Sequence, residues 1–306
     1  MAANNSVAAP AKKSSFRKFI DNNVGFLYII PWLIGFLVFK VYPFASSLIY
    51  SFSDYHLQRG ISKWGIFNYV KIFTDEEIIS AFVTTFKYAF MTVPLKLIFA
   101  LFIAYILNFK LKGVNIFRTV YYVPSILGGS VAIAVLWKAI FKDDGIINTL
   151  IGIFGADPVP FLTSKGWALF IICLLRVWQF GSAMVIFLAA LKGVPEDLYE
   201  AASIDGAGKW RQFFSVTVPL ITPVIFYNLV TQLCQAFQEF NGPYIITKGG
   251  PLGSTRLASL LVYENAFDGN WRMGLANAQA WVLFIIIMIF TVIAFTSQKK
   301  WVYYDD

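Results

Sequence analysis

Six stretches of this chain are nearly unbroken runs of apolar residues, near Phe26–Ser51, Phe86–Asn108, Tyr121–Phe141, Trp167–Leu191, Pro219–Glu239 and Ala276–Ser297. Each reaches the roughly 20 residues that a helix needs to cross a ~30 Å hydrocarbon core. The runs are continuous and do not alternate polar with apolar, so the spacing predicts helices and not strands. The third and fifth runs carry proline and polar residues and are the least regular. The connecting segments are polar. One of them, Asp75–Val83, has the pattern of a short separate helix in an outer loop. No domain-sized soluble insertion and no internal repeat stands out.

Composition agrees with the pattern. Of 306 residues, 58% are hydrophobic and 14% charged, with mean hydropathy +0.65, more apolar surface than a soluble domain of this size keeps dry. The expected fold class is therefore an all-α polytopic membrane protein with about six transmembrane helices. The first run is too long for a signal-peptide core and lacks a small-residue cleavage pattern, so it reads as a retained span. Charge sets the orientation. Lys12, Lys13, Arg17 and Lys18 precede the first run, Lys110, Lys112 and Arg118 follow the second, and Lys299 and Lys300 follow the last. Asp75, Glu76, Glu77, Asp143 and Asp144 lie in the opposite loops. Both termini are thus expected in the cytoplasm: a tail over 1–24, a membrane domain over 25–300 and a short tail over 301–306. The net charge of +8 reads as topology, and no nucleic-acid surface is indicated.

Catalytic chemistry is sparse. His56 is the one histidine, in the first outer loop, and no Cys/His cluster or Ser/His/acid set can be assembled. Cys173 and Cys234 both fall in predicted spans and imply no disulfide framework. Residues Asp205 to Trp210 superficially resemble a phosphate loop, but Ser203 stands at the first glycine position and Trp210 follows Lys209. The chain is expected not to be an enzyme. It should bind no cofactor itself, with any nucleotide chemistry supplied by another chain.

Polar residues inside the spans are the candidate solute contacts, because an ionisable group there costs about 2.5–3.5 kcal/mol on insertion scales and faces a cavity or a partner. Arg176, Gln179 and Ser182 recur every three residues in the fourth run, beside Trp178. Asn228, Gln232, Gln235 and Glu239 form a helical stripe in the fifth, with Gln238 and Asn241 near its end, and Asn277 and Gln279 open the sixth. Amides, a carboxylate and aromatic rings suit a sugar, whose hydroxyls need donors and acceptors while its C–H faces stack on rings. The same groups can equally hold helices together. Arg176 can meet an anionic group of the solute or Glu239. Lys40 and Lys138 sit where they can snorkel to the outer face; Lys96 lies deeper in its run.

Between the fourth and fifth runs, over 193–218, lies a charged amphipathic loop. Pro195 is placed to be a first helical residue, with Glu196, Asp197 and Glu200 in the opening turns, where acids complement the helix dipole. Gly206 and Gly208 permit a sharp turn, and Trp210, Phe213 and Phe214 follow at helical spacing. Glu200-Ala201-Ala202, Asp205-Gly206-Ala207, then Phe213, Phe214 and Leu220 with flanking prolines resemble the EAA loop of ABC importer permeases. Pro195 to Tyr199 narrow the resemblance to the carbohydrate, maltose-permease-like branch. Val216-Thr217-Val218-Pro219 departs conservatively from the family's common Ile-x-Leu-Pro. Tyr244 to Pro251 is similar to the glycine-rich outer segment of sugar permeases, and Met273 to Ala278 to the start of their last span.

The resemblance implies a cytoplasmic coupling helix in a bacterial-type plasma membrane, working with a second permease subunit and two ATPase subunits that bind ATP and Mg. It further implies an external binding protein docking near Gly249, Gly250 and Pro251. A sugar or oligosaccharide is the expected cargo; a glycerophosphodiester or a polyol is the alternative. A secondary carrier fits less well, because Glu239 is the one carboxylate clearly inside a run.

Overall fold

The computed structural model describes residues 15–109, 112–269 and 271–303. Lys12, Lys13, Lys110 and the last residues of the C-terminal tail, 304–306, lie outside them. The chain forms two compact units, Met1–Tyr50 and Ser51–Asp306. The first contains α1 (Ser15–Phe36), a wide π-type turn at Leu37–Val41, and α2 (Tyr42–Ser51), which runs on to the boundary. Helix α1 begins at Ser15, so the expected limit of the tail at residue 24 falls inside a helix. The wide turn has a cause in the sequence. Pro43 would drive its ring into the carbonyl four residues back, and a five-residue hydrogen bond, Tyr42 N–H to Leu37 O, relieves it. A second wide turn, Phe213–Thr217, precedes Pro219 in the same way.

The second unit opens with a hairpin absent from the expected all-helical pattern, β1 (Ser53–His56) paired antiparallel with β2 (Gly60–Trp64). Strands of four and five residues leave little periodicity to read. Then come α3 (Phe67–Thr74) and α4 (Glu76–Asn108), a single helix of 33 residues. The separate outer helix expected at Asp75–Val83 is instead the first turns of α4. Asp75 caps it, its carboxylate accepting from Glu77 N at 3.0 Å, and nothing breaks the helix before Phe86.

The remaining helices are α5 (Val114–Leu127), α6 (Val131–Phe141), α7 (Ile146–Ile153), α8 (Lys165–Trp178), α9 (Gly181–Gly193), α10 (Glu196–Ile204), α11 (Lys209–Gln212), α12 (Val218–Leu220), α13 (Thr222–Phe237), α14 (Ala258–Phe267) and α15 (Met273–Ser297). Three helical stretches are long and apolar enough to cross a bilayer unbroken: Tyr28–Ser51, Glu76–Asn108 and Met273–Lys300. Three bent pairs bring the number to six if each is one span: α5 with the run Val131–Ile153 at 102°, α8 with α9 at 44°, and Lys209–Leu220 with α13 at 68°. The protein is a multi-pass, mostly helical membrane protein, as the apolar runs predict.

Helix α4 is the spine of this unit. Ala81, Ala89, Ala100 and Ala104 are buried along it, and Ala183, Met184 and Phe187 of α9 are buried in the same core. Small residues let the helices approach closely where apolar burial alone gives no drive. Phe86 packs edge-on to Phe237 at 5.4 Å and near Phe290 at 5.7 Å, tying α4 to α13 and α15. At the start of α15, a Cβ on Gly274 would collide with the Ser53 carbonyl of the hairpin, so helix and hairpin approach closely there. Even Gly274→Ala is therefore expected to cost about 2–3 kcal/mol by overpacking. In a unit this large that is a fall in Tm of roughly 5–10 °C, measurable by thermal shift in detergent; an unchanged Tm would contradict the contact.

Candidate functional site

Three interruptions of the helical ladder meet at one place. The first, Gly128–Ser130, separates α5 from α6; the second, Gln179 and Phe180, separates α8 from α9; the third is the end of α13 at Phe237. Freed backbone groups in a membrane protein need partners, and here the first two breaks supply each other's. Ser125 Oγ donates to Gln179 O at 3.1 Å and accepts from Ser182 N at 2.9 Å. Gln179 Nε2 donates to Gly128 O at 3.2 Å. The approach depends on missing side chains. A Cβ on Gly181 would strike Tyr121 O and Tyr122 Cα, and one on Gly128 would strike the Gln179 side chain.

The breaks enclose a cavity of about 590 Å³. Arg176 is its hub. Nη1 donates to Gln179 Oε1 at 3.0 Å, Nη2 to Gln235 Oε1 at 3.2 Å, and Nε lies 3.6 Å from Glu239 Oε2. Within the chain, Arg176 is thus paired with Glu239. The other carboxylate oxygen of Glu239 accepts from Gly242 N at 3.1 Å. Tyr88, Ile172, Leu175 and Phe240 are also in the lining. The Tyr88 hydroxyl is buried without a hydrogen-bond partner.

The stripe read from the fifth run divides. Gln235 and Glu239 line the cavity, together with Thr231, Cys234, Gln238 and Asn241. Asn228 and Gln232 are buried away from it. Asn228 donates to Val224 O at 3.2 Å, and Gln232 accepts from Lys96 Nζ at 2.7 Å, which places the deep lysine. Glu239 also lies beyond the helix, so its position comes from a turn and not from helical register. There the Gln238 side-chain amide donates to Cys234 O at 3.0 Å, the carbonyl a continuing helix would have used. Ser182 contributes its backbone to the stitched breaks, and neither it nor Asn277 lines the cavity. Tyr88 and Gly128–Ser130 were not among the sequence candidates; the pair Gly128-Gly129 shortly after Pro124 is the signal that marks the break.

Near the far end of α13, Lys248 adopts a left-handed backbone at φ 50° and Gly249 one at φ 77°, as a tight glycine-rich turn requires. Thr255 Oγ1 donates to Gly250 O at 2.7 Å. Gly249 is buried against Arg256, Gly250 and Pro251 are half-buried, and Leu252 is the exposed tip. Arg256 bonds Glu77 at the start of α4 and lies 3.1 Å from Glu264 of α14, fastening this segment to both helices. Burial raises the Glu264 pKa, with the Arg256 guanidinium working against it. His56, in the hairpin, lies 3.5 Å from Asp54.

At the opposite end, between α9 and α13, sits the charged loop. Pro195 caps α10, one position earlier than expected, with Glu196 and Asp197 in the first turn. Gly206 follows the helix at φ 77°. Gln212 is buried and donates to Ser203 Oγ at 2.8 Å and Ala207 O at 2.9 Å; Tyr199 OH meets Thr217 Oγ1 at 2.8 Å. These bonds make the loop a fixed bracket on the ends of the spans, with Tyr105 of α4 and Phe213 in ring contact at 4.7 Å. Glu200, Ala201, Asp205 and Gly206 are exposed, and Ala202 and Ala207 half-buried. Ile204 and Trp210 are 87% and 73% exposed, an apolar surface of the kind that receives a partner.

Residues 76–301 match the family model of the binding-protein-dependent transport system inner membrane component. The chain is 46% identical to the probable ABC transporter permease protein YesP of Bacillus subtilis (strain 168), over 99% of this chain and 98% of the relative. It is 31% identical to the lactose transport system permease protein LacF of Rhizobium radiobacter, over 95% and 99%. To the sn-glycerol-3-phosphate transport system permease protein UgpA of Salmonella choleraesuis (strain SC-B67) it is 33% identical, over 95% and 100%. A chain in the crystal structure of a bacterial alginate ABC transporter, in complex with an alginate pentasaccharide-bound periplasmic protein, superposes with a TM-score of 0.79 at 22% identity. The match covers 92% of this chain and 96% of that one, and it shows a shared fold.

Proposed function

From the premise that this chain belongs to the family of inner membrane components of binding-protein-dependent transport systems, we propose that its cargo is a sugar or oligosaccharide. The chain is a permease subunit of an ABC importer, a transport subunit and not an enzyme. The observation that carries the proposed cargo is the cavity's mixed polar and aromatic lining. A neutral cluster of Arg176, Gln179, Gln235 and Glu239 lines the cavity together with Phe240, in a volume of about 590 Å³, within the usual ~300–1,000 Å³ of small-molecule sites. Amides and a paired guanidinium offer hydroxyls both donors and acceptors without imposing a net charge.

In this reading an external binding protein delivers the solute at the Gly249–Pro251 end, and both termini and the α10 loop lie in the cytoplasm. Two ATPase subunits, which hold ATP and Mg, grip Glu200 to Ala207; a second permease subunit completes the path. Closure of the ATPases moves α10 as a lever, and the bent spans above it pass between outward- and inward-facing arrangements. Driving such a pair of states from 1:99 to 99:1 takes about 5.5 kcal/mol of differential binding, which ATP binding at the partner chains would supply.

The test is ATP-driven uptake of a panel of labelled glycans into proteoliposomes carrying the complete transporter with its binding protein. Gln238→Ala and Asn241→Ala, which remove exposed cavity amides, are each expected to raise the half-saturating concentration about tenfold, the loss of one hydrogen bond of ~1.4 kcal/mol. Uptake of a glycerophosphodiester or polyol with no movement of any glycan would refute the sugar assignment while leaving the importer intact.

A further inference from the structure

Helix α7 closes the stretch Val131–Ile153 and carries apolar side chains both inward and outward. Helix α7, IINTLIGI, has no charged residue. Its polar Asn148 is turned inward, where Oδ1 accepts from Val159 N at 2.8 Å and Nδ2 donates to Val159 O at 2.9 Å and Asp143 O at 3.1 Å. Ile147 and Ile151 pack beneath it on Phe141 at the end of α6, Phe161 in the turn before α8, and Ile171 within α8. The outward face is apolar: Ile146, Leu150, Ile153 and the capping Phe154 are exposed, the last two at 73% and 87%. Thr149 is the one exposed polar side chain of the helix, and its hydroxyl is already spent on Gly145 O at 3.0 Å, so the outward face suits an apolar medium.

We infer that α7 is an interfacial anchor, lying in the headgroup–acyl boundary of the bilayer at the end of the protein opposite the α10 loop. Eight residues rise about 12 Å, too little to cross and suited to lying in the plane. Its flanks match that depth. Exposed Lys142, Asp143 and Asp144 precede it and Asp157 follows, while Trp167, half exposed beside Lys165, rests on the same small core through Phe161 at 5.6 Å. Tryptophan and lysine at the start of a span mark the water boundary. A protein partner fits less well, because the four outward side chains offer roughly 500 Å², below the ~800 Å² each side gives to a standard protein interface.

The anchor is tested with spin labels at Phe154→Cys and, separately, Leu150→Cys, with the unsubstituted chain labelled in parallel to subtract any signal from Cys234; Cys173 is buried. Asp157→Cys serves as the aqueous control. The complete transporter is placed in nanodiscs of phosphatidylethanolamine and phosphatidylglycerol, and only labelled complexes that retain uptake are measured. At 154 and 150, relaxation by molecular oxygen is expected to exceed that by a water-soluble nickel chelate several-fold, with the ratio reversed at 157. Nickel-dominated relaxation at 154 and 150 would put the face in water. Exclusion of both reagents would put it under another protein. Either result overturns the anchor, whatever the cargo.

Discussion

Arg176→Ala is expected to abolish uptake and to destabilise the permease by about 3 kcal/mol. The Glu239 side chain is 12% exposed, and without Arg176 its carboxylate keeps only Gly242 N as a charge-stabilising donor. Removing one partner of a buried ion pair costs ~3–5 kcal/mol. The low end applies because Arg176 is itself 23% exposed and the closest approach is 3.6 Å. The double variant Arg176→Ala/Glu239→Gln removes the orphaned charge and is expected to recover most of the stability but none of the transport. Arg176→Lys should fall between, since an ammonium cannot span Gln179, Gln235 and Glu239 as the planar guanidinium does. Thermal unfolding of these three variants and the unsubstituted protein, measured beside uptake, separates the two losses. A stable, active Arg176→Ala would remove this residue from the site.

The second large effect is expected at Gly206→Val: ATP hydrolysis by the assembled transporter continues while uptake falls about tenfold or more, the equivalent of ~1.4 kcal/mol in the coupling equilibrium. Gly206 sits at φ 77°, and among the described residues beyond its chain neighbours no heavy atom lies within 4 Å of where its Cβ would be. Nothing in this subunit clashes, so the effect arises from backbone strain of about 1–2 kcal/mol in the left-handed region and from bulk presented to the partner. Asn tolerates that region, so Gly206→Asn is expected to stay largely coupled. Parallel ATPase and uptake assays decide it, and full uptake by Gly206→Val would mean that α10 transmits no force.

The spans were legible because crossing a bilayer imposes a length that apolar runs display directly; α15 and the later part of α4 follow from that alone. The α10 turn was legible because acids, small residues and glycine each have a local meaning. What the sequence did not disclose is settled by neighbours far along the chain. Asn228 and Gln232 share a helical stripe with Gln235, yet Lys96 claims Gln232, a pairing 136 residues apart. Glu239 reaches Arg176 from a turn that a 3.6-residue period cannot anticipate. Gly128 and Gly181 look like ordinary breaks until the backbones they admit are in place. The hairpin is too short to show an alternation, and α4 absorbs Asp75–Val83 because nothing between Val83 and Phe86 punctuates a helix.

The bond between Lys96 and Gln232 also has a consequence for biosynthesis. The second span must leave the ribosome and enter the lipid with its ammonium unmatched, because the amide that will receive it belongs to the fifth. At about 5–20 residues per second, the 136-residue separation takes roughly 7–27 s to make. Over that interval the nascent second span is held by its flanking apolar turns alone, and its final seat opens only when the fifth arrives.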